Sequence, residues 1–152
     1  SSMVRACLAE GEVGMAARCL CRPYEITGRV VHGFHVGHEL GFPTANIQVE
    51  DAQKLIPKNG VYAVWVKGGT GGEEHVWGGM LNIGLRPTME NGENRTIEVH
   101  LLDFAGDLYG CCLMLSFVRR LRDEKKFRNK GDLVHQLRED EAMVRMILNK
   151  EQ

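Results

Sequence analysis

The chain has 152 residues, of which 26% are charged, and its formal net charge is −1. This length fits one globular domain with enough residues to bury a sizeable core. The near-neutral charge balance excludes the strong overall basic field on which non-specific nucleic-acid binders depend.

Apolar segments and cysteines narrow the class of protein further. No apolar run approaches the ~20 residues of a membrane-spanning helix, and no signal peptide is recognisable. The five cysteines are odd in number and lack paired C-x-x-C spacing, which disfavours a disulfide framework and a zinc site. We therefore expect a cytoplasmic protein with reduced thiols and no membrane partner.

Residues 1–22 have a helical pattern that differs from the rest of the chain. Ser1 can cap a first helix that stops near Gly11, and Val13–Leu20 predicts a second helix, which a proline ends. A short helical pair cannot bury its own apolar faces. We therefore interpret residues 1–22 as a tail of a larger unit or a linker, and residues 23–152 as the main domain.

From residue 24 the pattern changes to short strands separated by Gly, Pro, Asn and Asp. We predict strands at 24–31, 44–49, 61–66, 76–83, 96–102 and 113–118. This spacing predicts a mainly β fold, a small closed antiparallel barrel of about six strands.

The last segment predicts a C-terminal α-helix. Asn129 and Asp132 are spaced as a helix cap and its third-position partner. The apolar stripe of this helix consists of Leu133, Val134, Leu137, Val144, Ile147 and Leu148. We expect the stripe to pack on the barrel as core rather than to bind a partner.

Residues 41–46, with the sequence GFPTAN, combine a chain reversal with the start of a strand. Pro43 fixes its own φ angle and favours an extended Phe42. Because side chains two residues apart on a strand share a face, the Thr44 hydroxyl and the Asn46 amide oxygen should lie side by side. Such neutral oxygens suit Mg²⁺ bound to phosphates. The alternative is an ordinary turn with both side chains solvated.

Glycines at every fourth position lead into this corner, at Gly33, Gly37 and Gly41. That spacing suits neither a helix nor a strand. It suits a loop that brings backbone N–H groups against an anion, so we expect phosphate binding here.

Glu98 and His100 lie in the predicted strand 96–102, on the face opposite Ile97, Val99 and Leu101. A Glu in the middle of a strand is unfavourable by propensity, which indicates another reason for its presence. Alternation alone favours a solvated charge on the outer face.

The glycine-spaced stretch that ends in GFPTAN is followed by NIGLRPT at 82–88, IEVHL at 97–101, DFAGDLYG at 103–110 and LRDEKKF at 121–127. Together, in this order and spacing, these motifs resemble riboflavin kinases. The resemblance is to the C-terminal kinase module of the bacterial bifunctional riboflavin kinase and FAD synthetase, and it covers nearly the whole chain. It implies an ATP:riboflavin 5′-phosphotransferase that produces FMN and ADP.

The same resemblance implies roles for individual residues. Glu98 would be the catalytic base that takes the proton of the ribityl 5′-hydroxyl, and Thr44 and Asn46 would hold Mg²⁺. The ATP-binding positions would be Gly33, Gly37, His38, Gly41, Pro43, Thr44, Leu101, Asp103 and Tyr109. The flavin-binding positions would be Arg122, Lys125 and Phe127, although Phe127 equally suits core packing beneath the helix.

The family resemblance also bears on the beginning of the chain. In the bifunctional family an adenylyltransferase module precedes the kinase module, and its last motif is similar to residues 1–11 here. The resemblance implies that the chain begins inside that FMN adenylyltransferase module, to which it would be covalently joined in the full-length protein. The alternative is a native amino terminus.

Three positions depart from the family pattern, and one of them, Cys111 in place of a frequent basic residue, has no consequence that we can argue. His38 replaces a common Lys or Arg, and because imidazole is mostly neutral at pH 7, ATP affinity should depend more on pH. Arg128 replaces a frequent acidic residue, which weakens the case for a flavin contact there.

Two alternatives come from other functional classes. The first is a β-barrel that binds nucleic acid through the basic run Arg119, Arg120, Arg122, Lys125, Lys126, Arg128 and Lys130, which acidic residues interrupt. Such binding must weaken steeply with salt. The second is a flavin-binding module without turnover, which would release no ADP.

Overall fold

The computed structural model describes residues 1–32, 40–69, 72–87 and 93–151. Within these ranges the helices are α1 (Ser2–Ala9), α2 (Val13–Leu20) and α3 (Lys130–Lys150). The strands are β1 (Tyr24–Val31), β2 (Ala45–Gln48), β3 (Gly60–Gly68), β4 (His75–Pro87), β5 (Glu93–Leu101) and β6 (Cys112–Arg122). No helix in the described ranges is long and apolar enough to cross a membrane.

The six strands form a closed barrel in the order β1-β2-β5-β4-β3-β6, and β6 pairs with β1 to complete it. All pairings are antiparallel. The predicted mainly β barrel with a C-terminal helix and a short N-terminal helical segment is confirmed. The strands β3, β4 and β6 extend beyond the predicted limits at both ends and β5 at its start, because neighbouring strands continue to pair past the apolar runs that signalled them, whereas β2 is shorter than predicted.

Alternate residues of the strands fill the barrel. Among the side chains that are at most 1% exposed are Ile26, Tyr62, Val64, Leu81, Ile83, Val99, Leu113, Leu115 and Phe117. Complete burial of such a side chain contributes about 1.5–3 kcal/mol. The barrel interior is therefore the main source of stability.

The N-terminal helices pack on the barrel. The Ser1 hydroxyl accepts a hydrogen bond from the Val4 amide, which confirms the predicted cap. Val4, Leu8, Val13 and Ala16 are buried in the same apolar cluster as the barrel interior. The pair thus buries its apolar faces on the barrel, and the assignment of residues 1–22 to a separate module stays a prediction.

Helix α3 covers the outer face of the barrel. The Asn129 side chain accepts a hydrogen bond from the Asp132 amide at 2.9 Å, as the predicted cap requires. Val144, Ile147 and Leu148 are buried in a second cluster, with Phe42, Val61, Ala63, Met80 and Leu102 of the barrel side. The predicted stripe is divided, however. Leu133 and Leu137 are half-buried and line a pocket.

Candidate active site

One row of paired residues crosses the outer face of the barrel. Its register runs from Arg122 on β6 through Val61, Asn82, Glu98 and Asn46 to Val31 on β1. Directly opposite residues in an antiparallel sheet lie about 4.5–5.5 Å apart on the same face. The row therefore brings Glu98 beside Asn46, two positions that are far apart in sequence.

The first pocket, here called the helix pocket, lies between α3 and this outer face and has a volume of about 310 Å³. Its apolar lining consists of Phe42, Val61, Met80, Phe127, Leu133 and Leu137. Its polar lining consists of Thr44, Asn82, Glu98, His100, Arg122, Glu124, Lys125 and Asp140. The predicted flavin contacts and the predicted base are thus brought together in one cavity of ligand size.

The second pocket, here called the loop pocket, has a volume of about 670 Å³ and lies against loop 102–110 and the ends of β1 and β5. Of the predicted ATP-binding residues it is lined by Pro43, Thr44, Leu101 and Tyr109. Gly41 is not among its lining residues, but it has φ +85°, which fits the predicted chain reversal. Gly33, Gly37 and His38 lie outside the described residues.

Thr44 lines both pockets, so the corner at residues 41–46 forms their common wall. His100 holds this corner in place. Its Nδ1–H donates to the Pro43 carbonyl oxygen at 2.7 Å, and its ring meets the Phe42 ring edge-on with centroids 5.4 Å apart. Alternation had placed His100 on the face of Glu98, but no pattern in the sequence indicated this contact across 57 residues.

Asn46 is 9% exposed, and its Nδ2 atom is buried without a hydrogen-bond partner among the described residues. A buried polar group without a partner costs about 1–3 kcal/mol. Because the amide oxygen and nitrogen exchange places when the side chain flips, either atom can occupy this position. The Asn46 amide is therefore available to bind a ligand. It lies beside Glu98 in the row and two residues from Thr44. Among the described residues, no group of three or more His, Cys, Asp and Glu is arranged to hold a metal ion.

Asp103, a predicted ATP-binding residue, is paired with an arginine of α3. It has φ +55°, and its two carboxylate oxygens accept hydrogen bonds from the two Nη atoms of Arg145 on α3, each at 2.9 Å. Hydrogen bonding to Arg145, and secondly its charge, lowers the pKa of this carboxyl. Asp103 does not line the loop pocket, so its contact with ATP stays a prediction.

The wall of the loop pocket has two further anchors. The Asp107 carboxylate accepts a hydrogen bond from the Tyr109 amide at 2.8 Å, and the Gly110 amide donates to the Val30 carbonyl at 2.9 Å. The rings of Tyr109 and His32 stack, with centroids 3.9 Å apart and an angle of 18°. This stack presents a flat ring surface at the pocket, and no pattern in the sequence indicated the part that His32 plays in it.

Arg122 is held by a residue that sequence reasoning missed. Its Nε donates to both carboxylate oxygens of Asp140, at 3.0 and 3.1 Å, and its Nη2 donates to Oδ2 at 2.8 Å. Asp140 is 3% exposed. Asp140 lies three residues after Leu137 and four before Val144, so it shares the helix face of the apolar stripe. A carboxylate that interrupts an apolar stripe is the sequence signal that could have identified it.

The nucleic-acid alternative is not supported. Two arginines of the basic run are engaged with carboxylates, Arg120 with Asp123 at 2.7 Å and Arg122 with Asp140 at 2.8 Å. Their charges are partly neutralised within the protein, so the basic run is a weak phosphate-binding face.

Comparisons with known proteins point to one family. The family model described as Flavokinase: Riboflavin kinase matches residues 20–148. The bifunctional riboflavin kinase/FMN adenylyltransferase of Pseudomonas fluorescens is 41% identical over 147 residues, which cover 97% of this chain and 45% of that protein. The chain thus spans less than half the length of this curated relative.

Two solved structures resemble the fold. Riboflavin kinase from Trypanosoma brucei is 27% identical with a TM-score of 0.63, and the match covers 84% of this chain and 78% of that one. A macrolide-efflux protein from Streptococcus pneumoniae is 34% identical with a TM-score of 0.87, and the match covers 95% of this chain and 46% of that one. The two names differ in activity, but the family match covers the barrel, the cross-strand row and the residues of both pockets. On that ground the chain belongs to the riboflavin kinase family.

Proposed function

We propose that this chain transfers the γ-phosphate of ATP to the 5′-hydroxyl of riboflavin, giving FMN and ADP. The observation that carries the proposal is that two pockets of different character meet at Thr44, with Glu98 on one side of it. Phosphoryl transfer asks a protein mainly to align two substrates and to stabilise charge. A common wall is where a hydroxyl from one pocket can approach a phosphate from the other.

The chemistry of each pocket supports the assignment of substrates. The helix pocket combines apolar and aromatic side chains with the cations Arg122 and Lys125. This combination suits a flat ring system with an apolar end, which the apolar side chains would contact, and an end rich in carbonyl oxygens, which the cations would contact. The loop pocket is larger and offers the ring surface of His32 and Tyr109, which suits a stacked base. Riboflavin therefore belongs in the helix pocket and ATP in the loop pocket.

Glu98 is the base of the proposed reaction. It lines the helix pocket close to the common wall, so it can accept a hydrogen bond from the ribityl hydroxyl and take its proton as the oxygen attacks. Because the transition state of phosphoryl transfer is loose, this proton leaves late, and orientation of the hydroxyl is part of the same task.

Family membership implies ATP-dependent catalysis with a divalent metal, and we assign that metal as Mg²⁺. The Thr44 hydroxyl and the uncommitted Asn46 amide fit this ion, which accepts few protein ligands and keeps water and phosphate oxygens. When bound, such an ion neutralises negative charge that develops on the phosphates. The two neutral side chains leave its full charge for that purpose.

The direct test is incubation of the purified chain with riboflavin and MgATP. We expect FMN and ADP to form in equal amounts. Riboflavin binding without ADP release would contradict the proposal and favour the flavin-binding module without turnover. We further propose that adenylyl transfer belongs to the part of the relatives that this chain does not span, so FMN supplied with MgATP should give no FAD.

A further inference from the structure

Asp140 is a buried carboxylate that the reaction outlined above leaves unused. It is 3% exposed, on the side of α3 that faces the barrel, and it lines the helix pocket. Its oxygens accept hydrogen bonds from Arg122 and also from the Gln136 side chain, at 2.9 Å. A buried charge with this many matched donors is fixed in position.

The contacts leave Arg122 only part of its hydrogen-bonding capacity. A guanidinium carries five N–H donors on a rigid fork. The contacts with Asp140 use Nε and Nη2, and Nη1 donates to the Asp123 carbonyl at 2.9 Å. Each Nη atom has a second N–H, and Arg122 lines the helix pocket. Asp140 thus sets the plane in which the remaining donors of Arg122 point.

Stability alone is a weak reason for this arrangement. Replacement of a buried ion pair by apolar residues of similar size is often neutral or stabilising, because desolvation offsets the attraction between the charges. The flanking stripe residues Leu137 and Val144 are apolar, so an apolar residue at position 140 would continue the stripe. A carboxylate at this point is better explained by what it does to Arg122.

We propose that Asp140 is a positioning residue that aims Arg122 at the carbonyl edge of the flavin ring. The inference rests on the proposed placement of riboflavin in the helix pocket. Without the carboxylate, the long Arg122 side chain regains several rotamers, and the donors no longer converge on the ligand. Riboflavin affinity should suffer, whereas the nucleotide in the loop pocket should be unaffected.

The test is a double-mutant cycle with Asp140→Asn and Arg122→Gln. Riboflavin affinity is read from the quenching of its fluorescence, which needs no turnover, and MgADP affinity is read by calorimetry. We expect Asp140→Asn to weaken riboflavin binding about 10-fold to 100-fold, the range for hydrogen bonds to charged groups. If Asp140 acts through Arg122, Asp140→Asn should add almost nothing in the Arg122→Gln background.

The matched control is Glu139→Gln, which removes the neighbouring carboxylate on the exposed side of α3, where Glu139 pairs with His135. We expect it to change neither affinity. Additive effects of the two substitutions, or an equal loss of MgADP and riboflavin affinity, would overturn the proposal in favour of a direct contact or a purely structural role.

If Asp140→Asn does not fold, Gln136→Met replaces it, because this substitution removes a single hydrogen bond to Asp140. We then expect riboflavin binding to weaken about 2-fold to 10-fold, and unchanged binding would overturn the inference. Lack of turnover in the unaltered chain with riboflavin still bound would defeat the proposed function alone. Lack of riboflavin binding by the unaltered chain would defeat both.

Discussion

The two pockets are built in different ways. Most polar residues of the helix pocket lie on paired strands or on a 21-residue helix, and sheet register fixes the spacing of Asn82, Glu98 and Arg122. The loop pocket is walled by loop 102–110, which depends on a few separate anchors, among them the contact between Asp103 and Arg145. We therefore expect substitutions in the helix pocket to change the reaction rate or a single ligand contact while the backbone stays in place. Substitutions around the loop pocket should act by changing the position of the loop.

The largest expected effect concerns Glu98. A general base contributes about 10² to 10⁴ in rate, so Glu98→Gln should lower turnover by roughly that factor. Glutamine keeps the size of the side chain and can still orient a hydroxyl, but it does not accept the proton. Single-turnover measurement of FMN formation should show the loss, while riboflavin and MgADP affinities stay near normal. Retention of most activity would limit Glu98 to orientation.

The next effect concerns the common wall. Asn46→Ala should weaken MgATP binding about 10-fold to 100-fold, the range for interactions with a charged group. Because the Asn46 Nδ2 has no hydrogen-bond partner in the part of the chain that the structure describes, the melting temperature should change little. Thr44→Val, which keeps the shape of the side chain, is the matched variant and should behave alike. Early melting with normal ATP affinity would assign both residues a structural role.

A smaller effect is expected from substitution of His100, which tests whether residues 41–46 form a wall common to both pockets. Loss of its hydrogen bond to the Pro43 carbonyl by His100→Phe should weaken both riboflavin and MgADP about 2-fold to 10-fold, since the corner borders both pockets. His135→Phe, an exposed position on α3, is the control and should change neither affinity. A loss confined to one ligand would contradict a common wall.

The smallest effect is a pH dependence at the anchor of loop 102–110. Arg145 lowers the pKa of the Asp103 carboxyl in the folded state. A lowered folded-state pKa contributes stability that is fully present above the ordinary carboxyl value of 3.8 and is lost as pH falls through the folded value. Denaturant unfolding should therefore show Arg145→Gln to be slightly less stable than the unaltered chain at pH 7, and this difference should shrink as pH falls below 3.8. A difference that does not depend on pH would show that the pair adds no ionic stabilisation.

Most of the fold could be predicted because its determinants are local. The alternation of apolar residues marks the barrel interior, so all six strands were found, and caps such as Ser1 and Asn129 mark helix starts. The packing of α1 and α2 on the barrel could not be predicted, because it depends on which surfaces meet after folding. The division of the α3 stripe has the same cause.

The site was predicted unevenly for a related reason. Alternation placed Glu98 on the correct face, but its role came from resemblance to a family. Asn82 and His100 were visible in the sequence without a role, because their partners lie on other strands at distances that only sheet register reveals. Asp140 interrupts the apolar stripe of α3 in the sequence, but no role was predicted for it. The roles of Gly33, Gly37 and His38 stay predictions.

The strand β2 has a consequence for how the barrel responds to its substrates. It forms only three residue pairs with β1 and three with β5, the shortest ladders among the described strands. Local opening costs least where few pairs must break, so amide protons of Ile47 and its neighbours should exchange with solvent sooner than those of β3 or β4. A ligand that binds only the closed form lowers the population of the open form. If MgATP binds beside β2 as proposed, it should slow amide exchange in this strand, and that slowing would report nucleotide binding.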